Sequence, residues 1–245
     1  MRPAVLRPTR SFAHAVVETL RISAPTVLEA MLGRGAAHEV YDERLRSWSK
    51  RIVDHARAHV RVEGLAHLGD GREVFVVMSN HQSVYDIPVL FQALPMQLRM
   101  VAKQELFRIP IWGRAMRYSG FVAIDRSNRE RAIASLSVAK KKMQDEGVSI
   151  WIAPEGTRSP TGKMGEFKSG GFHLALDTGL RILPVSLIGT FDILRTGTTD
   201  VNEGAEVRVV VHPPIDPGAY GPARRAELTS DVRAVIASAL PQAQR

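Results

Sequence analysis

The sequence predicts an α/β fold with a mostly parallel mixed sheet flanked by helices. Short apolar runs rich in β-branched residues, such as residues 74–78 and 148–152, alternate with longer amphipathic segments, such as residues 128–145. Alternating strands and helices are typical of βαβ units and therefore of a parallel sheet. The chain has 245 residues, of which 44% are hydrophobic, so it can bury one sizeable core.

The predicted elements follow one another in a regular order. The apolar runs that predict strands lie at residues 60–63, 74–78, 98–102, 120–124, 148–152, 182–187 and 207–211. Helical spacing of apolar residues predicts helices that begin near residue 87 and that cover residues 110–118, 128–145, 169–178 and 223–240. Each predicted strand from residue 60 to 152 precedes a turn or a helix, as a sheet with helical crossovers requires.

We divide the chain into an amphipathic helical segment, residues 1–59, and a domain that carries the motifs, residues 60–245. Pro25 interrupts the apolar pattern of residues 11–32, which predicts two helical pieces. Residues 39–59 carry Trp48 and several apolar residues opposite many arginines. That pattern fits a helix at a membrane interface, and it equally fits a helix packed on the core with solvated arginines.

Charge and cysteine content narrow the class of function. The formal net charge is +8, which favours an anionic partner: nucleic acid, an acidic lipid surface or a phosphorylated substrate. Aromatic residues make up only 6% and no basic run is interleaved with them, so we expect no nucleic-acid partner. The absence of cysteine excludes disulfides, thiolate metal sites and a cysteine nucleophile.

The hydropathy of the chain predicts no transmembrane helix. The longest stretch without a charged residue is 87–98 and contains two prolines, whereas a bilayer span needs about 20 mostly apolar residues. The amino terminus lacks the apolar core and cleavage site of a secretory signal. We therefore expect a cytoplasmic protein.

A polar stretch at residues 80–86 follows one of the predicted buried strands and contains His81 and Asp86. Five residues along a regular helix separate two side chains by roughly 140°, so the pair can meet only if His81 lies in the turn and Asp86 on the first helical turn. The carboxylate would then fix the imidazole tautomer and leave the second ring nitrogen free to take a proton. The alternative is a histidine that caps a turn beside a surface aspartate.

Three predicted strands end in polar clusters: His81 with Asp86, Asp125 with Arg126, and residues 155–158. Carboxyl ends of parallel strands share one edge of a sheet, so the clusters are expected to share a crevice. Arginines there suit a phosphorylated substrate, although each could instead be a solvated loop charge.

These residues resemble the motifs of the 1-acylglycerol-3-phosphate acyltransferase family of glycerolipid acyltransferases. The four motifs, in order, are Asn80-His81-Gln82-Ser83-Val84-Tyr85-Asp86, Gly120 followed by Ile124-Asp125-Arg126, Pro154-Glu155-Gly156-Thr157-Arg158-Ser159, and Leu183-Pro184-Val185. Two shorter segments, residues 102–106 and 167–172, also match. The resemblance covers about residues 70–213, and it implies the fold of these acyltransferases.

The resemblance implies transfer of a fatty acyl group onto the free hydroxyl of a lysophospholipid, with His81 as general base and Asp86 as its orienting carboxylate. The acceptor phosphate would bind to Arg126 and Arg158, with Glu155, Gly156 and Thr157 shaping the pocket. Lys103 and a backbone N–H at Glu155–Gly156 are the candidate oxyanion donors. Weaker candidates are Asn80, Lys168 and Ser83, the last as a competing nucleophile.

The resemblance implies lysophosphatidic acid as acceptor and acyl-CoA or acyl carrier protein as donor. It implies no cofactor and no metal. It also implies peripheral contact with an anionic membrane, on its cytoplasmic side. Other acceptors stay open: glycerol-3-phosphate, another lysophospholipid or a lyso-aminolipid. Two further classes are a metal-dependent phosphoesterase, which needs ligands beyond the scattered remaining histidines, and a non-catalytic lipid- or nucleic-acid-binding relative.

Overall fold

The computed structural model describes residues 5–6, 8–34, 38–125 and 129–245. Its strands are β1 (Val5–Leu6), β2 (His59–Glu63), β3 (Val76–Ser79), β4 (Leu98–Lys103), β5 (Val122–Ile124), β6 (Ser149–Ile152), β7 (Ile182–Ile188), β8 (Val201–Asn202) and β9 (Glu206–Val211). Its helices are α1 (Pro8–Met31), α2 (His38–His55), α3 (Asp86–Ala93), α4 (Trp112–Tyr118), α5 (Arg129–Glu146), α6 (Gly170–Thr178), α7 (Thr190–Ile193) and α8 (Arg225–Ala239).

Seven strands form the central sheet, in the order β2-β9-β7-β3-β6-β4-β5. Every neighbouring pair is parallel except β7 and β9, which are antiparallel. The predicted mostly parallel mixed sheet flanked by helices is therefore confirmed. The two-residue strands β1 and β8, which pair with each other, and the single-turn helix α7 are not predicted by the sequence pattern.

Helices cover both faces of the sheet, and the side chains of β3 show why. Val77 belongs to the core on the side of α2 and α3, whereas Val76 and Met78 belong to the core on the side of α5, α6 and α8. A strand that is buried on both faces reads as a continuous apolar run, which is how residues 74–78 appear in the sequence. The three-layer arrangement leaves the carboxyl ends of β3, β6 and β4 side by side at one edge.

Helix α2 packs on the core. Leu45, Ile52 and Val53 are buried in the same cluster as the sheet residues, and Trp48 is partly buried against it. Two of its arginines turn to α1, where Arg44 pairs with a glutamate at 2.6 Å and Arg51 pairs with another. Of the two interpretations of residues 39–59, packing on the core is the one that the structure shows.

Helix α1 is continuous through Pro25, so the prediction of two helical pieces is wrong. Proline removes one backbone donor, which leaves the carbonyl of Arg21 without its helical partner. Arg21 is exposed, and water can therefore satisfy that carbonyl without a break in the helix.

The outer side of α1 is apolar and uncovered. Its strongly exposed residues include Phe12 at 73%, Met31 at 69% and Val17 at 59%. Within the described part of the chain, no helix has both the length and the hydropathy needed to cross a bilayer. The division of the chain at residue 59 stays a prediction.

A buried ion pair ties α2 to the sheet. Arg99 on β4 has no exposed surface, and its Nη1 donates to Asp42 on α2 and to the backbone carbonyl of Leu98. Its Nε and Nη2 have no hydrogen-bond partner among the described residues. Asp42 therefore supplies the one carboxylate that balances this buried charge in the described chain.

Replacing Asp42 by alanine should lower the free energy of unfolding by about 3–5 kcal/mol, because it leaves the buried guanidinium of Arg99 uncompensated. Urea denaturation followed by circular dichroism measures this. Asp54→Ala on the same helix is the matched control, since its pair with Lys50 is exposed and should be worth less than about 1 kcal/mol. Equal losses for the two variants would contradict the assignment.

Candidate active site

The turn that follows β3 is held in place by buried polar side chains. Asn80 pairs with the backbone of Leu187 on β7: its Nδ2 donates to the carbonyl at 2.8 Å, and its Oδ1 accepts from the N–H at 2.8 Å. The hydroxyl of Ser83 donates to the carbonyl of Leu194 at 2.7 Å. Both side chains are fully buried, so their contacts fix the course of the turn.

His81 and Asp86 meet as the sequence required, with the histidine in the turn and the aspartate as the first residue of α3. His81 Nδ1 lies 2.7 Å from Asp86 Oδ2, and the same oxygen accepts the N–H groups of Gln82 at 2.7 Å and Ser83 at 3.0 Å. The carboxylate is fully buried at a helix N-terminus, where the macrodipole stabilises negative charge. A carboxylate with these donors fixes the ring so that Nδ1 carries the proton and Nε2 does not.

The backbone of His81 is held from both sides by the segment that follows β6. Its N–H donates to Glu155 Oε1 at 2.7 Å, and its carbonyl accepts from the N–H of Ser159 at 2.8 Å. Glu155 Oε2 accepts from the N–H of Gly165 at 2.8 Å. Both oxygens of this carboxylate therefore have backbone partners, and they join three segments around the histidine.

Glu155 is buried, with 6% of its surface exposed. Burial raises the pKa of its carboxyl above the ordinary value of 4.5, and the N–H groups of Gly165 and His81 act in the opposite direction. An ionised carboxylate in this position is stabilised by its hydrogen bonds but destabilised by the loss of water.

A large apolar cavity of about 890 Å³ lies beside His81, between the helices α1 to α4 and the end of the sheet. Trp151 packs its ring against the edge of the imidazole at a centroid distance of 5.6 Å and also lines this cavity. The side chain of His81 keeps 16% of its surface exposed, so a molecule in the cavity can reach it. Cavities of this size bury most of the surface of a bound ligand.

Three further predicted site residues line the same cavity: Lys103, Thr157 and Arg158. Lys103 lies at the end of β4 and pairs with Glu105 at 3.2 Å. The structure therefore brings a base candidate and two cations to one apolar space, as the edge of a parallel sheet allows. Arg126 lies outside the described residues, whereas its neighbour Asp125 pairs with Arg131 at 3.1 Å.

Gly156 adopts a positive φ of 73°, and a Cβ at this position would lie 2.9 Å from the Nζ of Lys168. The ammonium of Lys168 is thus close above the turn that precedes Arg158. The N–H of Gly156 donates to the carbonyl of Ala153 at 3.0 Å. This N–H is already engaged, which does not support the expectation that it serves as an oxyanion donor. Within the described residues, no group of three or more histidine, aspartate or glutamate side chains is arranged to hold a metal ion.

Some contacts of the site have no signal in the sequence. The bonds from Asn80 to Leu187 and from Glu155 to His81 join residues 107 and 74 positions apart. The neighbour of His81 on β6, Trp151, could have been suspected, because β6 ends in the cluster at residues 155–158. Its edge contact with the imidazole depends on the strand order, which the sequence does not contain.

The family model described as Acyltransferase matches residues 59–188, which is more than half of the chain. The chain belongs to the acyltransferase family. The matched region begins at β2 and includes the His81 turn and the segment at residues 154–159.

Curated relatives extend the comparison. The chain is 36% identical over 156 residues to the chloroplastic 1-acyl-sn-glycerol-3-phosphate acyltransferase LPAT1 of Arabidopsis thaliana, covering 64% of this chain and 43% of that protein. It is 31% identical over 161 residues to the 1-acyl-sn-glycerol-3-phosphate acyltransferase of Salmonella typhimurium, covering 66% of this chain and 64% of that protein. The matches thus span less than two thirds of the length of these relatives. The resemblance to the 1-acylglycerol-3-phosphate acyltransferases is confirmed.

A solved structure shares the whole fold of this acyltransferase. The crystal structure of the 1-acyl-sn-glycerophosphate acyltransferase PlsC from Thermotoga maritima superposes with a TM-score of 0.77 at 28% sequence identity. The superposition covers 94% of this chain and 95% of that one, so the likeness extends to the N-terminal helices.

Replacing Glu155 by glutamine should flatten the pH dependence of stability. Because the folded pKa of this carboxyl is raised, its protonated form contributes stability below about pH 4.5 that is lost as the pH rises through the folded pKa. The free energy of unfolding of the wild type minus that of Glu155→Gln should therefore decrease with rising pH, as measured by urea denaturation from about pH 4 to pH 8. Glu166→Gln, at an exposed position of the same loop, is the control. A difference that increases with pH would be the wrong sign.

Proposed function

We propose that this acyltransferase moves a fatty acyl group from a thioester donor to the free hydroxyl of lysophosphatidic acid, giving phosphatidic acid. The observation that carries the proposal is the pair of His81 and Asp86, bonded at 2.7 Å and open on its Nε2 side to an apolar cavity. The donor is acyl-CoA or acyl carrier protein. The names of the relatives in plants and bacteria support the acceptor.

In the proposed reaction, His81 Nε2 takes the proton of the acceptor hydroxyl while Asp86 holds Nδ1–H and stabilises the imidazolium. The oxygen attacks the thioester carbon and forms a tetrahedral intermediate. The C–S bond then breaks, and the leaving thiolate takes the proton back from His81. Direct transfer is favoured over an acyl-Ser83 intermediate, because the Ser83 hydroxyl is buried and already donates to Leu194.

Charge develops on the carbonyl oxygen during the attack and needs a donor. Lys103 is our candidate, because it lines the cavity that also contains His81 and is the last residue of β4, two strands away from β3 in the sheet. The Lys103 side chain is 61% exposed in the free protein. A bound acyl donor would exclude water from it, which strengthens the attraction of its ammonium for an oxyanion. Gly156 contributes by its shape, since a side chain there would push Lys168 away.

The acceptor phosphate is assigned to the cations at the rim of the cavity. Arg158 is the main candidate, since its planar guanidinium can bind two phosphate oxygens at once, and Thr157 adds a hydroxyl. Lys168 lies next to this turn and supplies further positive charge. Arg126, which follows β5 in the sequence and lies outside the described residues, is a further candidate for the phosphate.

The acyl chain and the bilayer account for the remaining features. The apolar cavity offers a dry space for a fatty chain close to His81. We propose that the exposed apolar side of α1 contacts the surface of an anionic membrane, to which the net charge of +8 adds attraction of about 1 kcal/mol for each nearby basic residue. Contact of this kind is peripheral and would let the lipid acceptor enter the cavity from the bilayer.

A panel of acceptors tests the proposal. Purified protein is offered lysophosphatidic acid, glycerol-3-phosphate, a neutral lysophospholipid and a lyso-aminolipid, each with acyl-CoA and with acyl carrier protein, and product is measured by mass spectrometry. We expect phosphatidic acid to form fastest and His81→Ala to lose about 10²–10⁴-fold in turnover, since the base is removed. His67→Ala, an exposed histidine away from the cavity, should keep full activity.

The panel also decides between the alternatives. Faster transfer to a lyso-aminolipid or to glycerol-3-phosphate would replace the acceptor but keep the chemistry. Thioester cleavage by none of the combinations, with lipid binding intact, would identify a non-catalytic relative. Substantial turnover by His81→Ala would exclude this residue as the base.

Arg158→Gln should raise the KM for lysophosphatidic acid about tenfold, because one charge-assisted contact with the phosphate is lost. The KM for the acyl donor should stay within about twofold. Initial rates at varied concentrations of each substrate separate the two constants. Arg72→Gln, whose side chain is 90% exposed, controls for the lost charge. Parallel increases in both KM values would contradict phosphate binding by Arg158.

A further inference from the structure

The segment that precedes α4 exposes apolar residues at a sharp tip. We define the tip as residues 109–111, between the 3₁₀ turn Gln104–Arg108 and the first turn of α4. Ile109, Pro110 and Ile111 are consecutive and exposed, with 41% of the surface of each isoleucine accessible. Neither the proposed reaction nor the packing of the sheet uses these three side chains.

The backbone of the tip is strained. Ile111 has φ +64° and ψ −63°, and the N–H of Trp112 donates to the carbonyl of Pro110 at 2.7 Å. These values describe a γ-turn of the rare, strained hand, and a β-branched residue at positive φ is unfavourable in any case. Glycine would adopt the same backbone without strain. An isoleucine at this position therefore indicates a function for its side chain.

Neighbouring contacts hold the strained shape. The N–H of Gly113 donates to the carbonyl of Ile109 at 2.8 Å, which closes the loop. A Cβ on Gly113 would lie 2.3 Å from the carbonyl oxygen of Phe107, so the tip folds back on its own base without room for a side chain. The tip is thus a rigid projection that holds Ile109 and Ile111 away from the core.

Basic residues surround the apolar tip. Arg108, Arg114 and Arg117 are exposed, and none is within ion-pair distance of a carboxylate in the described part of the chain. The guanidinium of Arg117 lies over the ring of Phe107 at 5.6 Å, which fixes it at the base of the tip. Arg108 also interacts electrostatically with Glu105. Exposed isoleucines flanked in sequence by exposed arginines match the interface of an anionic bilayer, with an apolar interior below a layer of phosphates.

The tip is also next to the cavity and to α1. Trp112, directly behind the tip, lines the cavity that contains His81. Helix α4 packs against α1, whose outer side exposes Phe12 and Leu20. The helix that follows the tip is therefore packed on the helix that carries the other exposed apolar side chains.

We propose that the tip is a second membrane-contact element, separate in sequence from the N-terminal helices. Ile109 and Ile111 insert among the acyl chains of an anionic bilayer, and Arg108, Arg114 and Arg117 bind lipid phosphates around them. This inference rests on the proposed function in one respect, that the acceptor is a membrane lipid. Insertion here directs the cavity mouth near Trp112 toward the bilayer.

The chain contains no cysteine, so the inference can be tested with single labels. Ile109→Cys and the control Val138→Cys, which is 51% exposed on α5, are labelled with an environment-sensitive fluorophore. Vesicles of phosphatidylglycerol and phosphatidylcholine, or of phosphatidylcholine alone, are then added. We expect a blue shift and quenching by brominated lipid at position 109 with the anionic vesicles, and neither change at position 138. A label at 109 that stays in water while the protein floats with the vesicles would overturn the inference.

Ile111→Gly provides the second test, because it removes the apolar side chain and relieves the strain together. We expect about tenfold weaker binding to the anionic vesicles without a fall in melting temperature. Val138→Ser, the matched control, should bind like the wild type. Unchanged vesicle binding by Ile111→Gly would refute insertion. A blue shift at 109 without vesicles that grows with protein concentration would identify a second copy as the occupant and would also refute it.

The same variant separates this inference from the proposed function. Transfer to acceptor embedded in vesicles should fall with vesicle binding, while transfer to a short-chain, monomeric acceptor should be unchanged. If the wild type transfers acyl groups to neither acceptor, the proposed function fails, whereas the label and flotation results still decide whether the tip inserts.

Discussion

The hydrogen bond between His81 and Asp86 is the interaction on which the site depends. Asp86 Oδ2 accepts from the imidazole and from two backbone N–H groups, so one buried oxygen organises the whole turn. Its position at the start of α3 lets the helix dipole stabilise the carboxylate. An imidazole held in this way presents its other nitrogen to the cavity, and the chemistry we propose follows from that orientation.

The turn would not hold its shape without the strands around it. The side-chain amide of Asn80 bonds to the backbone of β7, where a neighbouring strand would otherwise pair. Glu155 joins the His81 backbone to the loop after β6. The histidine is therefore fixed through its main chain as well as through its ring. The geometry of the His81 pair is thus a property of three neighbouring parallel strands, which explains why the pair lies where their carboxyl ends meet.

The sequence was sufficient for the fold class and for the position of His81 and Asp86, because both depend on local periodicity and on spacing within one turn. It was not sufficient for contacts such as that of Glu155 with Gly165, which depend on how a loop returns to its strand. The continuous helix through Pro25 could not be predicted either, because α1 packs against α2 and α4 and helix propensity does not contain that packing. For residues 39–59, a helix at a membrane interface and a helix packed on the core look alike in sequence. The glutamates of α1 that pair with arginines of α2 distinguish the two.

The tautomer of His81 decides whether Asp86 orients the imidazole toward the cavity. Long-range proton–nitrogen correlation spectra of the ¹⁵N-labelled protein, with the signal assigned from the His81→Ala variant, report which ring nitrogen carries the proton. We predict that Nδ1 carries the proton in the wild type and that the tautomer changes in Asp86→Asn, where the amide can donate to the ring. A wild-type ring protonated on Nε2, or a tautomer unaffected by Asp86→Asn, would contradict this prediction.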